Sequence, residues 1–257
     1  MRAIREQIVE KLLDKAATRR WAKASDRCKD MPLDQLRVKR NTARDMRRHL
    51  DEVLHVAEGR LSAPLFAKTL TQAPRESDWA WRPEIWSGPI QPMGRAAVPQ
   101  KSRVGREAAL FHDCEVSEIT FRQMRNLRSD DLAPYGARFD VFRFDGSFLS
   151  LVIDLPPEAV SGLSKRHLVR FDASIELEKS LELFARLNVK HGPNTDQIVR
   201  EVATASGEIF VEFDLAYTEM NEKRVERIWI ELIFENPEMN QIFLRDVSFA
   251  RIARAEL

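Results

Sequence analysis

Charged and amide side chains occupy alternate positions in three successive apolar segments, where together they could bind a polar ligand. Guanidinium, carboxylate and amide groups hydrogen bond to sugar hydroxyls, and Trp229 would add an aromatic ring beside them. If the segments pair as neighbouring strands, we expect one concave face that binds carbohydrate. On any solvated sheet the same charges could instead pair with one another, which is the alternative. The residues are Arg170, Asp172, Arg186, Asn188, Lys190 and Asp214.

A second polar group is concentrated in the segment Lys190-His191-Gly192-Pro193-Asn194. The imidazole of His191 and the amide of Asn194 could hydrogen bond to sugar hydroxyls or to an anion at the rim of a sheet. The ammonium of Lys190 is the neighbouring cation. The Gly-Pro-Asn sequence is equally typical of a tight turn between two strands. We include His191 and Asn194 among the candidate ligand-binding residues and leave both interpretations open.

No pattern in the chain indicates catalytic residues. Glycoside hydrolysis requires two carboxylates roughly 5–10 Å apart, and nothing in the sequence selects one pair from its 40 Asp and Glu residues. His112 and Cys114 would share one face of a strand, but no Gly-x-Ser-x-Gly turn presents a nucleophile. We therefore favour a non-catalytic protein. The alternative is a glycan-active enzyme that uses carboxylates of the concave face.

We predict neither a cofactor nor a metal site. The nine glycines form no Gly-x-Gly-x-x-Gly or P-loop motif, and the two cysteines and five histidines lack the spacing of metal ligands. A structural Ca²⁺ held by Asp side chains and carbonyl oxygens stays open, because its ligands are common in any sequence.

The charge of the chain is unevenly distributed, although the formal net charge is only +1. Residues 1–60 hold 16 Lys or Arg against 10 Asp or Glu, so the remainder of the chain is acidic. This basic arm could be a solvated helical face, could dock on an acidic protein or an anionic lipid surface, or could bind nucleic acid. We favour the first two, because no nucleic-acid recognition motif is present. The docking candidates are Arg37, Arg40, Arg44, Arg47 and Arg48.

Cysteine usage and hydropathy predict a cytoplasmic protein. Cys28 and Cys114 match no disulfide framework, which suits a reducing compartment. The charged N-terminal segment does not resemble a secretory signal, and no apolar run reaches the 18 residues of a membrane span.

The apolar periodicity of residues 1–61 predicts a basic helical hairpin. Ile4, Ile8 and Leu12 recur every four residues, and Met31-Pro32 then interrupts the pattern. A heptad-like seam follows, which could pack on the first helix, on the rest of the chain or on a second copy. The seam comprises Leu36, Ala43, Met46, Leu50, Val53 and Ala57.

Residues 62–105 hold six of the twelve prolines and three of the five tryptophans. Three large aromatic side chains would waste apolar area in a flexible linker. We therefore predict an ordered, extended segment that lies against the following domain and supplies an edge strand.

Residues 106–257 alternate between apolar and polar positions, which predicts an antiparallel β-sandwich. The clearest strands cover 167–177, 181–189, 209–217, 228–234 and 242–249. Asp145-Gly146 predicts a hairpin between 139–144 and 147–155. The fold class is thus mainly β, with an antiparallel sandwich preceded by an N-terminal α-helical hairpin; that the sandwich is a jelly roll is implied by the resemblance of its last strand to that of known jelly rolls.

The last strand, Ile242-Phe243-Leu244-Arg245-Asp246-Val247-Ser248-Phe249, resembles the closing strand of galactose-binding-like jelly rolls of the carbohydrate-binding-module type. The chain also resembles an uncharacterised bacterial family that carries the Trp-Ala-Trp-Arg-Pro and Asn-Val-Lys-His-Gly-Pro-Asn stretches. The first resemblance implies a non-catalytic module that binds carbohydrate or a protein partner. The second implies no activity.

These patterns together favour a binding or assembly module, with ligand on the sandwich face and the helical arm docking or forming a homo-oligomer. A glycan or a protein is the favoured partner, peripheral membrane contact stays open, and nucleic acid is not favoured. The alternatives are a glycan-active enzyme and an electrostatic adaptor that binds a membrane surface or nucleic acid through residues 1–60.

Overall fold

The computed structural model describes residues 2–66, 74, 76–205 and 207–254. The chain divides near residue 54 into two compact units, a helical one and a β-rich one. The prediction of boundaries at residues 61 and 105 stays a prediction, and each unit is described by itself below.

Two long helices form the N-terminal region, as predicted: α1 (Arg2–Arg27) and α2 (Leu33–Phe66), joined by a 3-10 turn at Cys28–Asp30. Pro32 lies just before α2, and its carbonyl accepts the N–H of Leu36 at 2.9 Å. The Lys39 ammonium of α2 lies 5.3 Å from the centre of the Trp21 ring of α1, so the adjoining ends of the two helices contact each other.

The predicted apolar seam of α2 is covered only in part. Leu36 and Ala43 are half-buried, whereas Leu50 and Val53 are 57% and 64% exposed. On α1, Leu12 is also exposed, and the side chains of Ile4 and Ile8 lie outside the described residues. The helices therefore form as the periodicity predicts, but most of their large apolar side chains that the structure describes are exposed.

Antiparallel strands build the second unit, with two short helices, α3 (Glu84–Ser87) and α4 (Pro157–Val160). The strands are β1 (Ser77–Trp81), β2 (Gly94–Arg95), β3 (Lys101–Val104), β4 (Ala108–His112), β5 (Ile119–Arg125), β6 (Tyr135–Val141), β7 (Leu149–Asp154), β8 (His167–Leu177), β9 (Leu183–His191), β10 (Asn194–Val202), β11 (Glu208–Asp214), β12 (Val225–Phe234) and β13 (Asn240–Ala253).

These strands form two sheets that pack face to face. Sheet A has the order β11-β8-β13-β6-β5-β2, with β1 also paired to β13, and sheet B has the order β10-β9-β12-β7-β4-β3. Because β6, β8, β11 and β13 alternate along the chain with strands of the other sheet, the connections cross between sheets as in a jelly roll. The predicted fold class, a mainly β jelly-roll sandwich preceded by helices, is confirmed.

The alternation of apolar residues correctly predicted which side chains form the core. In β8, Val169, Phe171, Ala173 and Ile175 are buried, while the residues between them are half-exposed. The predicted strand over 167–177 has the bounds of β8. The predicted strand over 209–217 ends earlier, at Asp214, because the Asp214 carboxylate accepts the N–H of Ala216 at 2.9 Å and starts a 3-10 turn.

The predicted Asp145-Gly146 hairpin is wrong, because β6 belongs to sheet A and β7 to sheet B. The connection is held by Asp113, whose carboxylate accepts the N–H of Ser147 at 2.7 Å and its hydroxyl at 2.5 Å. A Cβ at Gly146 would lie 2.6 Å from Asp113 Oδ1. Glycine is therefore required here by a close approach and not by the positive φ of a hairpin turn.

The Pro- and Trp-rich segment, where it is described, is an ordered part of the sandwich. Its strand β1 pairs with the last strand, β13, and Trp86 is fully buried with its indole N–H donating to the Leu244 carbonyl at 2.9 Å. Trp79, Trp81 and Phe249 stack in series, with ring centres 6.4 and 5.9 Å apart. These aromatic contacts explain why the segment is ordered in spite of its prolines.

Candidate functional site

A cleft of about 350 Å³ opens on the outer face of sheet A. Its floor consists of small side chains at outward positions of three neighbouring strands: Ala80 of β1, Ser248 and Ala250 of β13, and Ser174 of β8. Larger residues at these positions would fill the space. The volume lies within the range of small-molecule sites, roughly 300–1,000 Å³.

A β-bulge in β13 directs two charged residues toward the cleft. Leu244 pairs with Ile175, but Asp246 pairs with Ser174, so Arg245 is an extra residue in the strand. Arg245 and Asp246 therefore both line the cleft. Beyond the bulge the neighbour of β13 changes from β6 to β1.

Arg82 and Asp246 form a buried ion pair at one end of the cleft. The guanidinium donates to both carboxylate oxygens, at 2.8 and 2.9 Å, and each side chain is only 7% exposed. Burial raises the pKa of Asp246 above its ordinary value, although the two hydrogen bonds from Arg82 act in the opposite direction. The pair ties the end of β1 to the bulge of β13.

A loop over residues 128–132 forms one wall of the cleft and is held by ion pairs with sheet A. Arg245 of β13 donates to Asp131 at 2.9 and 2.5 Å, and Arg128 donates to Glu176 of β8 at 2.5 Å. Arg245 also lies 3.5 Å from Glu176. Carboxylate oxygens thus border the floor while the neighbouring guanidinium groups fix their orientation.

Asp172 lines the cleft on β8 and is held by Arg170 of the same strand. Arg170 donates three hydrogen bonds to it at 2.8–3.0 Å, and this contact raises the pKa of Arg170. The same guanidinium lies 4.8 Å from the centre of the Phe210 ring, which is 65% exposed on β11. An aromatic surface therefore adjoins the carboxylate.

The predicted single concave face does not exist, because its residues lie on opposite faces of the sandwich. Arg170, Asp172 and Asp214 belong to sheet A, whereas Arg186, Asn188, Lys190 and Trp229 belong to sheet B. Of these residues only Asp172 lines the cleft. Segments that follow one another in the chain were expected to be neighbours, but the jelly-roll connections place β8 and β9 in different sheets.

The candidates on sheet B are engaged by neighbouring side chains of the same sheet. Arg186 pairs with Glu231, and Asn188 accepts a hydrogen bond from Gln197 at 2.9 Å. The guanidinium of Arg227 lies 4.8 Å from the centre of the Trp229 ring. One face of Trp229 is therefore covered by Arg227 and is unavailable for stacking on a sugar.

The segment Lys190–Asn194 is a hairpin turn between β9 and β10, where His191 pairs with Asn194 and Gly192 has a φ of +58°. His191 is buried, with Nε2 3.3 Å from Asp196 Oδ1, and Lys190 pairs with Glu226 at 2.8 Å. The turn interpretation therefore describes the backbone. Asn194 is exposed at the turn, and a ligand role for it stays a prediction.

The His112 and Cys114 pair has structural contacts. His112 Nε2 lies 2.9 Å from the Val98 carbonyl, and Nδ1 accepts the N–H of Cys114 at 3.2 Å. Burial raises the pKa of the Cys114 thiol, which disfavours the reactive thiolate. Within the described residues, no group of three or more His, Cys, Asp or Glu side chains is placed to hold a metal ion.

On the helical unit, the predicted docking residues Arg37, Arg40, Arg44, Arg47 and Arg48 are all exposed along α2. None of the helices in the described ranges is both long and apolar enough to span a membrane.

The sequence did not point to most of the residues that form the cleft. The bulge that turns Arg245 and Asp246 outward shows in the sequence as a break in the alternation, because the buried positions Ile242 and Leu244 are followed by Val247 and Phe249. This break and the small residues at outward positions of β13 are signals that could have been used. The missed residues are Trp81, Arg82, Asp131, Arg245 and Asp246.

Comparison with known proteins identifies one family and several partly similar folds. A family model described as "Family of unknown function (DUF6478)" matches residues 1–257. No curated protein matches the chain.

Solved structures are similar at low identity. The enzymatically active domain of tailspike protein 4 from bacteriophage CBA120 has 8% identity and a TM-score of 0.37, with 51% of this chain and 18% of that chain covered. The family 11 carbohydrate-binding module from Clostridium thermocellum, in complex with a β-1,3-1,4-mixed-linked tetrasaccharide, has 12% identity, coverages of 64% and 99%, and a TM-score of 0.35. A xylan-binding domain from carbohydrate-binding module family 22 has 8% identity, coverages of 72% and 100%, and a TM-score of 0.38.

Proposed function

This chain belongs to that family of unknown function, and from its own surface we propose that it is a non-catalytic module that binds carbohydrate in the cleft of sheet A. The observation that carries the proposal is the floor of small residues, Ala80, Ser174, Ser248 and Ala250, bordered by oriented carboxylates. Such a floor leaves room for a sugar ring, and the bordering carboxylates can accept hydrogen bonds from its hydroxyls.

The polar border offers acceptors and donors in fixed positions. Asp172 and Glu176 are held by Arg170 and Arg128, so their remaining lone pairs can accept hydrogen bonds from sugar hydroxyls. The hydroxyls of Ser174 and Ser248 on the floor can both donate and accept. The exposed Phe210 ring on the strand beside Asp172 adds apolar area for the C–H face of a sugar through the ring face that Arg170 does not cover.

The same ion pairs favour binding over catalysis. A general acid must present a proton to the leaving oxygen, but both oxygens of Asp246 accept hydrogen bonds from Arg82. Asp131 and Asp172 are likewise engaged by Arg245 and Arg170. Guanidinium partners fix the orientation of these carboxylates as hydrogen-bond acceptors, which suits binding of hydroxyl groups.

We assign the helical arm a docking role, because large apolar side chains of α1 and α2 are exposed, among them Leu12, Leu13 and Leu50. A cytoplasmic location belongs to the same proposal, since Cys28 and Cys114 are both free thiols. Cell fractionation that recovers the chain outside the cytoplasm would contradict this location.

Isothermal titration of the full chain with oligosaccharides tests the carbohydrate site. The mixed-linked glucan tetrasaccharide and xylo-oligosaccharides are the first probes, followed by a broad glycan array. Ser174→Trp fills the cleft floor at an outward position, so binding should be lost while the fold is kept. The matched control is Gln197→Trp on the outer face of sheet B, which should bind normally.

Two results would contradict the proposal. If no glycan of the array binds, the cleft is not a carbohydrate site. If a glycan is hydrolysed, and Asp172→Asn abolishes the hydrolysis, the chain is an enzyme and not a binding module.

A further inference from the structure

A second concave surface lies on the helical unit, where the last turns of α1 and the first turns of α2 diverge. This groove has a volume of about 630 Å³. Its lining comprises Arg20, Lys23, Ala24, Arg27, Met31, Asp34, Gln35, Val38 and Lys39. We call it the hairpin groove.

The hairpin groove combines positive charge with an apolar floor. Four cationic side chains face one carboxylate, that of Asp34, so the lining carries a net charge of about +3. Ala24 is buried and Met31 is half-buried, and both lie between the cations, while Val38 is 68% exposed at the edge. A ligand that fits this surface must have negative charge and at least one apolar group.

Most cations of this groove lack the ion pairs that hold many arginines of the sandwich. Arg20, Lys23 and Arg27 have no ion-pair partner within the parts of the chain that the structure describes. In the sandwich, arginines such as Arg186 and Arg227 pair with carboxylates. On α2, Arg47 and Arg48 pair with Asp51 and Asp45, at 3.4 and 3.9 Å. Free cations around an apolar floor point to a partner outside the described chain.

We propose that the hairpin groove binds an acidic segment of a protein partner, one that carries a leucine-like anchor among Asp and Glu residues. The inference deepens the docking role proposed above and is independent of carbohydrate binding in the cleft. The anchor packs on Ala24 and Met31, and the acidic side chains pair with Arg20, Lys23, Arg27 and Lys39. An amphipathic segment lying in a groove is a common mode of peptide recognition.

The shape and chemistry of the groove favour a peptide over two other anionic partners. A flat bilayer meets the rim of a concave surface and leaves Ala24 and Met31 uncovered. Nucleic acid supplies phosphates and flat bases, but the Trp21 ring, the nearby aromatic, is covered by the Lys39 ammonium. A peptide is the partner that supplies both the carboxylates and the aliphatic anchor.

Fluorescence anisotropy with the full chain tests the proposal. The probe is a labelled peptide of about 12 residues, with Glu and Asp at most positions and leucines at i, i+4 and i+7 spacing. We expect Arg20→Glu with Lys23→Glu to weaken binding by about tenfold or more, because two attractive contacts become repulsive. The matched control, Lys11→Glu with Lys15→Glu, makes the same charge change at exposed positions of α1 outside the groove and should weaken binding by less than about threefold.

A second pair of measurements tests the apolar contact between the leucine anchor of the peptide and the hairpin groove. Val38→Ser, at an exposed position, and a peptide with serine in place of leucine should each weaken binding. Raised salt should weaken only the contribution of the ion pairs to the binding free energy. Circular dichroism confirms that each variant keeps its helices.

Several results would overturn the proposal. These are equal losses in the two charge-reversal pairs, no change on replacing leucine by serine, or tighter binding to phosphatidylserine vesicles or duplex DNA than to the peptide. Self-association that protects the groove, measured by sedimentation, would assign it to a second copy instead. Loss of glycan binding by Ser174→Trp with peptide binding retained would separate the two proposals.

Discussion

Breaking the Arg82–Asp246 ion pair should destabilise the sandwich strongly. In Arg82→Met the Asp246 carboxylate, whose side chain is 7% exposed, loses both of its guanidinium hydrogen bonds. A buried charge left without its partner costs roughly 3–5 kcal/mol in free energy of unfolding. Met has a length similar to that of the aliphatic part of Arg. The decrease in the free energy of unfolding therefore measures the unpaired charge of Asp246 and not a large cavity.

Urea unfolding followed by tryptophan fluorescence measures this cost, with Arg106→Met as the control. Arg106 pairs with Glu84 but is 77% exposed, and exposed pairs contribute about 0–1 kcal/mol. The double variant Arg82→Met with Asp246→Leu replaces both charges by apolar groups. It should recover most of the loss, because no buried charge remains.

The pH dependence gives an independent check. Burial already raises the pKa of Asp246 in the folded chain, and removal of Arg82 should raise it further. Because the folded pKa of Asp246 then lies above its unfolded value, the buried carboxylate destabilises the folded chain at high pH. As pH falls through the folded pKa, the carboxyl group gains a proton and this destabilisation is relieved. The deficit of Arg82→Met should therefore shrink between neutral and acid pH. A deficit below about 1 kcal/mol, or no recovery in the double variant, would refute the reasoning.

Two further predictions concern the sandwich itself. Gly136→Ala should cost about 1–3 kcal/mol in urea unfolding, because its Cβ would lie 2.6 Å from the Phe243 ring, while Gly88→Ala, which meets nothing within 4 Å, should be nearly neutral. Equal losses of unfolding free energy in the two variants would show that the Phe243 ring does not restrict the side chain at position 136. Asp140→Asn should make stability less sensitive to acid. Burial raises the pKa of Asp140, but the hydrogen bonds from Arg138 and its neighbours outweigh it and hold the pKa below its ordinary value, so the stabilisation is lost as pH falls through that lower pKa. Unchanged acid unfolding of Asp140→Asn would contradict this.

The candidate site could be predicted from the sequence only in part, for a topological reason. Alternation shows that Asp172 and Arg186 point away from the core, but not that β8 and β9 lie in different sheets. Asp172 was identified, whereas Arg82 and Asp246 were not, because they are 164 residues apart and meet only through the pairing of β1 with β13. The cleft exists where that pairing meets the bulge at Arg245.

Local patterns determined the elements of this protein, and long-range pairing determined its surfaces. The 3.6-residue period predicted α1 and α2, and the period of two predicted the core face of β8, because both depend on side-chain direction within one element. Tertiary structure alone decided that Asp145-Gly146 connects two sheets, that Arg186 of β9 pairs with Glu231 of β12, and that small residues of β1, β8 and β13 adjoin to open a cleft. These outcomes depend on which distant strands hydrogen bond to each other, and alternation within a strand carries no information about its neighbour.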